Sequence, residues 1–237
     1  MYAPQWLASL LLFGFIGKCI AGSSPFPAAP DTPSTEPIPV STFAAEFRDK
    51  ARSVLDSPNL SAKGQAESFN ATPDIYRWLL NNPQTSVKLW RTLGAKVSDV
   101  VETSPGKYLW KDGQGSEVTW QTVHQADGLQ VWYAEGQIKP AALLPASGVR
   151  AMAVLRYSTG NDIEGRSAIR HQVQFFLRCD GRAMAMAARL LGNSAPRLAE
   201  QYLGQLQMFY GGMAWYLTQD IPRARRMLTE AGILTDK

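Results

Sequence analysis

Residues 195–217 read APRLAEQYLGQLQMFYGGMAWYL. Within them Leu198, Tyr202, Leu206, Phe209, Met213 and Leu217 recur at steps of three or four. That spacing lines one face of an α-helix with apolar side chains. A helical pattern begins upstream near Arg182 and breaks at Gly192-Asn193-Ser194-Ala195-Pro196. Glycine and asparagine interrupt a helix there, and the proline suits a new first turn. Pro222 either ends the long helix or begins a last short one carrying Arg223, Arg225 and Arg226. An apolar stripe of this length has to be buried against another layer.

The preceding segments supply that layer. From Ala95 the apolar period changes to two, the mark of strands. Residues 97–102, 108–111, 117–123, 129–138, 149–157 and 167–178 read as strands, and Asp112-Gly113-Gln114-Gly115 joins the second to the third as a hairpin. The connections are short and carry no helices, so the strands pair antiparallel and a parallel wound sheet is excluded. Upstream, 65–70 reads as an edge strand. Thr72-Pro73-Asp74 then opens a helix with a capping threonine, proline at the first position and an acid near the positive end of the dipole. Asn82-Pro83-Gln84 repeats the signal, and Gly94 closes the second helix. Residues 43, 44, 47, 51, 54 and 55 are apolar at helical spacing, which predicts an amphipathic helix ahead of this domain. The fold class is therefore α+β: a curved antiparallel sheet of about seven strands, two short helices and one long C-terminal helix.

This order resembles the START-like, or SRPBCC, helix-grip superfamily over residues 64–220. The resemblance is carried by GQAESFNATPDIYRWLLNNPQTSVKLWRTLG at 64–94 and by the 195–217 segment. It implies an apolar pocket between the curved sheet and the long helix. Members of the superfamily bind lipids, sterols, polyketides or plant hormones, and some are cyclases or oxygenase subunits. Catalytic residues differ between its branches, so none transfers to this chain.

The rest of the 237-residue chain reads as delivery and tether. Residues 6–17 (WLASLLLFGFIG) form an apolar run of 12, short of the roughly 20 residues of a membrane span. The run fits the core of an export signal occupying 1–21, with an uncleaved anchor as the other reading. Prolines at 25, 27, 30, 33, 37 and 39 make 22–42 an extended spacer. The domains are then a signal at 1–21, the spacer at 22–42, an amphipathic helix at 43–57, the helix-grip domain at 64–220 and a basic tail at 221–237. The address is periplasmic or secreted. Removal of the signal leaves Cys179 alone, a thiol at the end of an apolar strand that reads as buried and inert. His171 lies eight residues back, roughly 26 Å along a strand, too far to serve it as a base.

Composition excludes several classes. The chain is 45% hydrophobic and 19% charged, as globular proteins are. A formal charge of +4 does not suggest a nucleic-acid partner. Two cysteines and two histidines exclude a disulfide scaffold and make a metal site improbable. No phosphate-cradling glycine loop, nucleophile elbow or HExxH pattern is present, and no cofactor is implied.

Alternation along 169–177 puts His171 on the apolar face with Ile169, Val173, Phe175 and Leu177. There it is a core histidine with one hydrogen bond, a polar contact for a ligand, or a general base. Trp110, Trp120, Trp132 and Tyr133 on neighbouring strands, with Tyr202, Phe209, Trp215 and Tyr216 on the helix, pack the core or line a cavity. Gly204, Gly211 and Gly212 either leave volume for a ligand or let the helix approach the sheet. Arg150 and Arg156 share a face with Met152 and Val154, either outward near Glu135 or inward toward an acidic ligand. Asp112 and Glu117 read as turn residues, His124 as a loop residue, and the three terminal arginines as a solvated face or a peripheral contact with acidic lipid.

These features give three readings. The first is an exported protein holding an apolar or amphipathic small molecule against Trp120, Trp132, His171, Val173, Phe175, Tyr202, Leu206, Phe209 and Met213. The second is a cyclase- or hydrolase-type enzyme with His171 as its catalytic residue. The third is a protein-interaction module with a filled core, which a cavity below a few hundred Å³ would favour.

Overall fold

The computed structural model describes residues 36–95, 97–112, 114–139, 146–181, 194–230 and 232. Its elements run in the order read from the sequence. A 3-10 turn (Val40–Thr42) and α1 (Ala45–Leu55) lead into β1 (Leu60–Lys63) and β2 (Glu67–Asn70). Helices α2 (Pro73–Asn81) and α3 (Pro83–Thr92) follow, sharing Asn82 as the end of one and the start of the other. Then come β3 (Val100–Ser104), β4 (Lys107–Lys111), β5 (Glu117–Ala126), β6 (Leu129–Ile138), β7 (Ser147–Asn161) and β8 (Ser167–Cys179). Helices α4 (Ala195–Gln219) and α5 (Ile221–Glu230) close the described chain. Thr72 occupies the cap position of α2, but its side chain makes no cap bond. Pro73 and the Asp74–Arg77 pair at 2.7 Å hold that first turn instead.

The described strands form one eight-stranded sheet in the order β1–β8–β7–β6–β5–β4–β3, with β2 also on β8 and the pairs antiparallel. The strand beyond the seven anticipated is β1. It begins at Leu60, so the sheet starts ahead of residue 64. Together β1 and β2 make one edge strand with a step in it. Lys63 pairs Gln174 and Glu67 pairs His171, so three residues (64–66) lie opposite two. One extra residue in a strand is a bulge, and bulges bend sheets. Register also shifts between Thr122 and His124 and between Glu102 and Ser104. These steps curve the sheet toward α4, which packs on β1, β2, β8 and α2.

Alternation decides the two faces. Val149, Ala151, Leu155 and Tyr157 of β7, with Ile169, His171, Val173, Phe175 and Leu177 of β8, turn to the helices and are buried. Tyr133, Met152 and Val154 turn the other way and are buried as well. They form a second cluster with Phe43, Phe47, Ala51 and Val54. Helix α1 thus covers the back of the sheet. The end of the proline-rich tract belongs to the same layer: Ile38 and Val40 pack on this cluster, and Arg156 Nη2 donates to the Glu36 carbonyl at 2.5 Å. The sheet is covered on both faces, whereas the sequence reading places a cover on one.

Two further expectations change. The basic segment after 220 is a packed helix: Ala224 and Met227 are buried in the main core, and only its other side carries the arginines. The buried positions of α4 among the described side chains are Ala199, Leu203, Gln207, Gly211, Met213, Ala214 and Leu217. Over the first half of the helix they lie one residue on from the anticipated stripe, with the polar Gln207 among them, while Met213 and Leu217 of that stripe are buried. The helical pattern expected from Arg182 falls on 182–193, and the export segment and most of the spacer on 1–35, all outside the described residues. Among the described residues no helix is long and apolar enough to cross a membrane.

Candidate functional site

Small residues at the middle of the sheet leave space beneath α4. Ala134 of β6 pairs Ala151 of β7, and Ala153 lies two residues further along the same face. Bulky side chains surround them: Trp120 opposite Ala134, Trp132 and Phe175 on either side of Ala153, and Leu177 beside Ala151. The three alanines cannot fill the gap to the helix, and a cavity of about 100 Å³ remains. Leu206, Gln207 and Tyr210 of α4 and Leu80 and Pro83 at the α2–α3 junction complete the wall. Most of this wall is apolar. Among the described residues no lysine, arginine, aspartate or glutamate lines it.

Its polar side chains are Tyr76, His171, Gln207 and Tyr210, with the indole N–H groups of Trp120 and Trp132. Tyr76 Oη and His171 Nδ1 are 2.6 Å apart and wholly buried. The Glu67 carboxylate, paired in register with His171, lies 3.8 Å from Nε2, too far for a hydrogen bond. A nearby anion favours the proton on Nε2, so Nδ1 accepts from the Tyr76 hydroxyl. Burial lowers the His171 pKa, and Glu67 opposes that more weakly. The ring is a neutral core histidine. Phe69 meets its edge at 4.9 Å. Burial likewise raises the Tyr76 pKa well above the usual phenol value. Gln207 is also buried and fully engaged: Nε2 donates to the Gln65 carbonyl at 2.6 Å, and Oε1 accepts from Val173 N–H at 3.1 Å. Tyr210 packs edge-on to Trp90. Among the described residues the buried polar side-chain atom of this wall without a hydrogen bond is His171 Nε2.

The structure brings Trp120, Trp132, His171, Val173, Phe175 and Leu206 to the cavity and leaves the other three ligand candidates outside its wall. Phe209 is turned into the Trp90 ring, 3.9 Å between centroids. Tyr202 is half-buried against the core, and Met213 is buried further along the helix. Tyr133 faces the back of the sheet under Phe47, because successive strand residues point to opposite faces. Trp110 is buried in the core without reaching the cavity. The helix glycines do not line it either. A Cβ on Gly211 would lie 2.9 Å from Phe69 Cδ1, so this glycine serves close approach of helix to sheet, while Gly204 and Gly212 face open space. Apolar periodicity does not single out Gln207 or the alanines, although Ala134, Ala151 and Ala153 alternating within bulky strands are a readable sign of missing volume.

The remaining candidates are structural. His124 lies within β5 rather than in a loop, with Nδ1 2.9 Å from Thr42 Oγ1. Arg150 and Arg156 point to the back face; Arg150 is in register with Glu135, whose ion pair at 2.9 Å is with Lys50. Asp112 Oδ1 accepts from the N–H groups of Gln114 and Ser116 across the turn, and Glu117 pairs with Lys111 at 2.7 Å. The Cys179 thiol is free, and burial pushes its pKa up to about 11. Among the described residues no three His, Cys, Asp or Glu side chains are grouped to hold a metal.

Sheet, cavity and closing helix together define a helix-grip protein of the α+β class. No protein-family model matches the chain, and no curated protein matches it. Solved structures similar to it include a conserved protein from Geobacillus kaustophilus, at 12% identity and a TM-score of 0.42 over 68% of this chain and 98% of that one. Norcoclaurine synthase from Thalictrum flavum, in complex with dopamine and hydroxybenzaldehyde, matches at 11% identity and 0.35 over 63% and 87%. The di-domain ARO/CYC BexL matches at 14% identity and 0.37 over 74% and 59%.

Proposed function

We propose that this protein binds a small apolar or amphipathic molecule in the cavity under α4. The supporting observation is an apolar void formed where Ala134, Ala151 and Ala153 face the helix. Buried apolar contact drives such binding at about 25 cal/mol per Å². A volume of about 100 Å³ limits the occupant to about one ring or a short chain; benzene occupies an engineered cavity of about 150 Å³. The 1–21 segment supports an extracytoplasmic site of action.

The test is a thermal shift series with benzene on the full chain and on Ala153→Leu, which reduces the void. Binding predicts a rise in Tm for the native chain and little or none for the variant. No shift in either, or equal shifts in both, overturns the proposal. The small volume also favours a second reading, a protein-interaction module, which predicts no small-molecule shift at all.

A further inference from the structure

Residues 201–219 of α4 (QYLGQLQMFYGGMAWYLTQ) hold no charged side chain, in a chain that is 19% charged. The inner side of this stretch belongs to the core, but its outer side is open. Met208 is 47% exposed and Trp215 43%; Gln201, Gly212 and Gln219 are exposed as well, and Gln205 is half-buried between them. Alternating steps of four and three residues join these six positions, the spacing of a seam between two packed helices. A water-facing helix ordinarily carries charge on its outer side. Glycine is among the least favourable residues inside a helix. Among the described residues nothing lies within 4 Å of a Cβ placed on Gly212, so packing within the chain does not explain that glycine.

The seam is symmetric about residue 210. An antiparallel copy crossing there sets Met208 opposite Gly212 of the second copy, Trp215 opposite Gln205, and Gln201 opposite Gln219. Each large apolar side chain meets a small or flexible one, and the helix dipoles oppose each other. A parallel copy would set Met208 on Met208 and Trp215 on Trp215. Gln205 Oε1 is buried without a hydrogen bond among the described residues. Trp215 of the second copy brings an indole N–H, the donor this oxygen lacks. Charge points the same way, because an uncharged face offers nothing to an acidic or basic partner and does not repel its own copy. We propose that α4 pairs antiparallel with α4 of a second copy of this chain through these six positions. This goes beyond the binding function and does not depend on it. The seam is about 27 Å long at about 1.5 Å per residue. A helix pair of that length buries on the order of 800 Å², below the roughly 1,200 Å² of stable interfaces, so the dimer is dissociable.

Sedimentation velocity of the full chain from about 5 to 500 μM tests it, with a shift from monomer to dimer expected across that range. Met208→Glu and Trp215→Glu each bury two carboxylates by symmetry, and each should weaken the dimer at least about tenfold. Both residues are at the surface, so the Tm of the dilute chain should move by less than about 2 °C. In Cys19→Ser chains under mild oxidation, an equimolar mixture of Met208→Cys and Gly212→Cys should give at least about fivefold more disulfide-linked dimer than either chain alone, because the 208–212 pair is the one in register. A monomer at every concentration, or association that survives both glutamate substitutions, overturns the dimer. A larger loss of Tm with unchanged association means that the seam is covered within the chain, as by the apolar residues 182–193 outside the described segments, and also overturns it. Equal cross-linking in the mixture and in the single chains overturns the antiparallel register.

Discussion

Gln207, at the centre of the closing helix, accepts the backbone N–H of Val173 from inside the sheet at 3.1 Å. That N–H lies opposite the step between β1 and β2, where the extra edge residue leaves the ladder incomplete. The Val173 carbonyl takes Gly64 N–H at 2.8 Å, and the Gln207 amide fills the remaining gap by also donating to Gln65. Helix and sheet are thus joined by a polar contact at the bulge that helps curve the sheet.

Loss of this contact should be expensive. Gln207→Leu leaves the buried Val173 N–H and the part-buried Gln65 carbonyl without this partner, which costs about 2 kcal/mol. Gly64→Ala should destabilise by a different route, since its Cβ would overlap Gln207 Oε1. In a Gln207→Ala background that overlap is gone, so the Gly64→Ala penalty should shrink by at least about 1 kcal/mol. Urea denaturation of the four chains measures this, and additive penalties would refute the coupling.

The neutral state of His171 predicts an acid sensitivity. Its pKa lies below 6.5 in the folded chain and near 6.5 when unfolded. Above pH 6.5 neither state holds the proton and the group contributes nothing to the pH dependence. As pH falls through 6.5 the unfolded chain takes up a proton that the folded chain resists, so stability declines. Melting temperatures between pH 7.5 and 5.5 should therefore fall less steeply for His171→Gln than for the native chain; equal slopes would mean that the histidine is not held neutral.

Helix α1 should contribute directly to stability. Phe47 is 8% exposed and meets Tyr133 at 5.6 Å between ring centroids. Phe47→Ala should cost about 3 kcal/mol in urea unfolding. A flexible tether at this position would give a change below about 0.5 kcal/mol.

Cys179 should be slow toward thiol reagents. With the thiol at about 11, about one in a thousand is ionised at pH 8. In a Cys19→Ser chain, labelling by a disulfide reagent should be at least about a hundredfold faster in denaturing urea than in buffer. Comparable rates would contradict its burial.

The order of elements was legible because each segment carries its own period. Residues 129–138 and 167–178 alternate cleanly, and the strands found there agree to within a residue. His171 was placed on the inner face by the same alternation, and Trp120, Trp132, Val173 and Phe175 share that face with it. Periodicity misled where a polar residue stood in a buried row. Gln207 is polar, so apolar spacing passes it over and places the first half of the α4 stripe one position off; Tyr202, Phe209 and Met213 do not reach the cavity. It also misled where two successive aromatics were grouped: Trp132 and Tyr133 belong to opposite faces. β1 was missed because four residues are too few to establish a period.

The sequence by itself determined the helix-grip order, the faces of the central strands and the burial of His171, all consequences of local spacing. Tertiary structure alone decided the rest. Which helix covers which face, where three alanines on neighbouring strands coincide, and what Tyr76 and His171 meet inside the core all depend on residues far apart in the chain meeting in one register. No local period records that meeting.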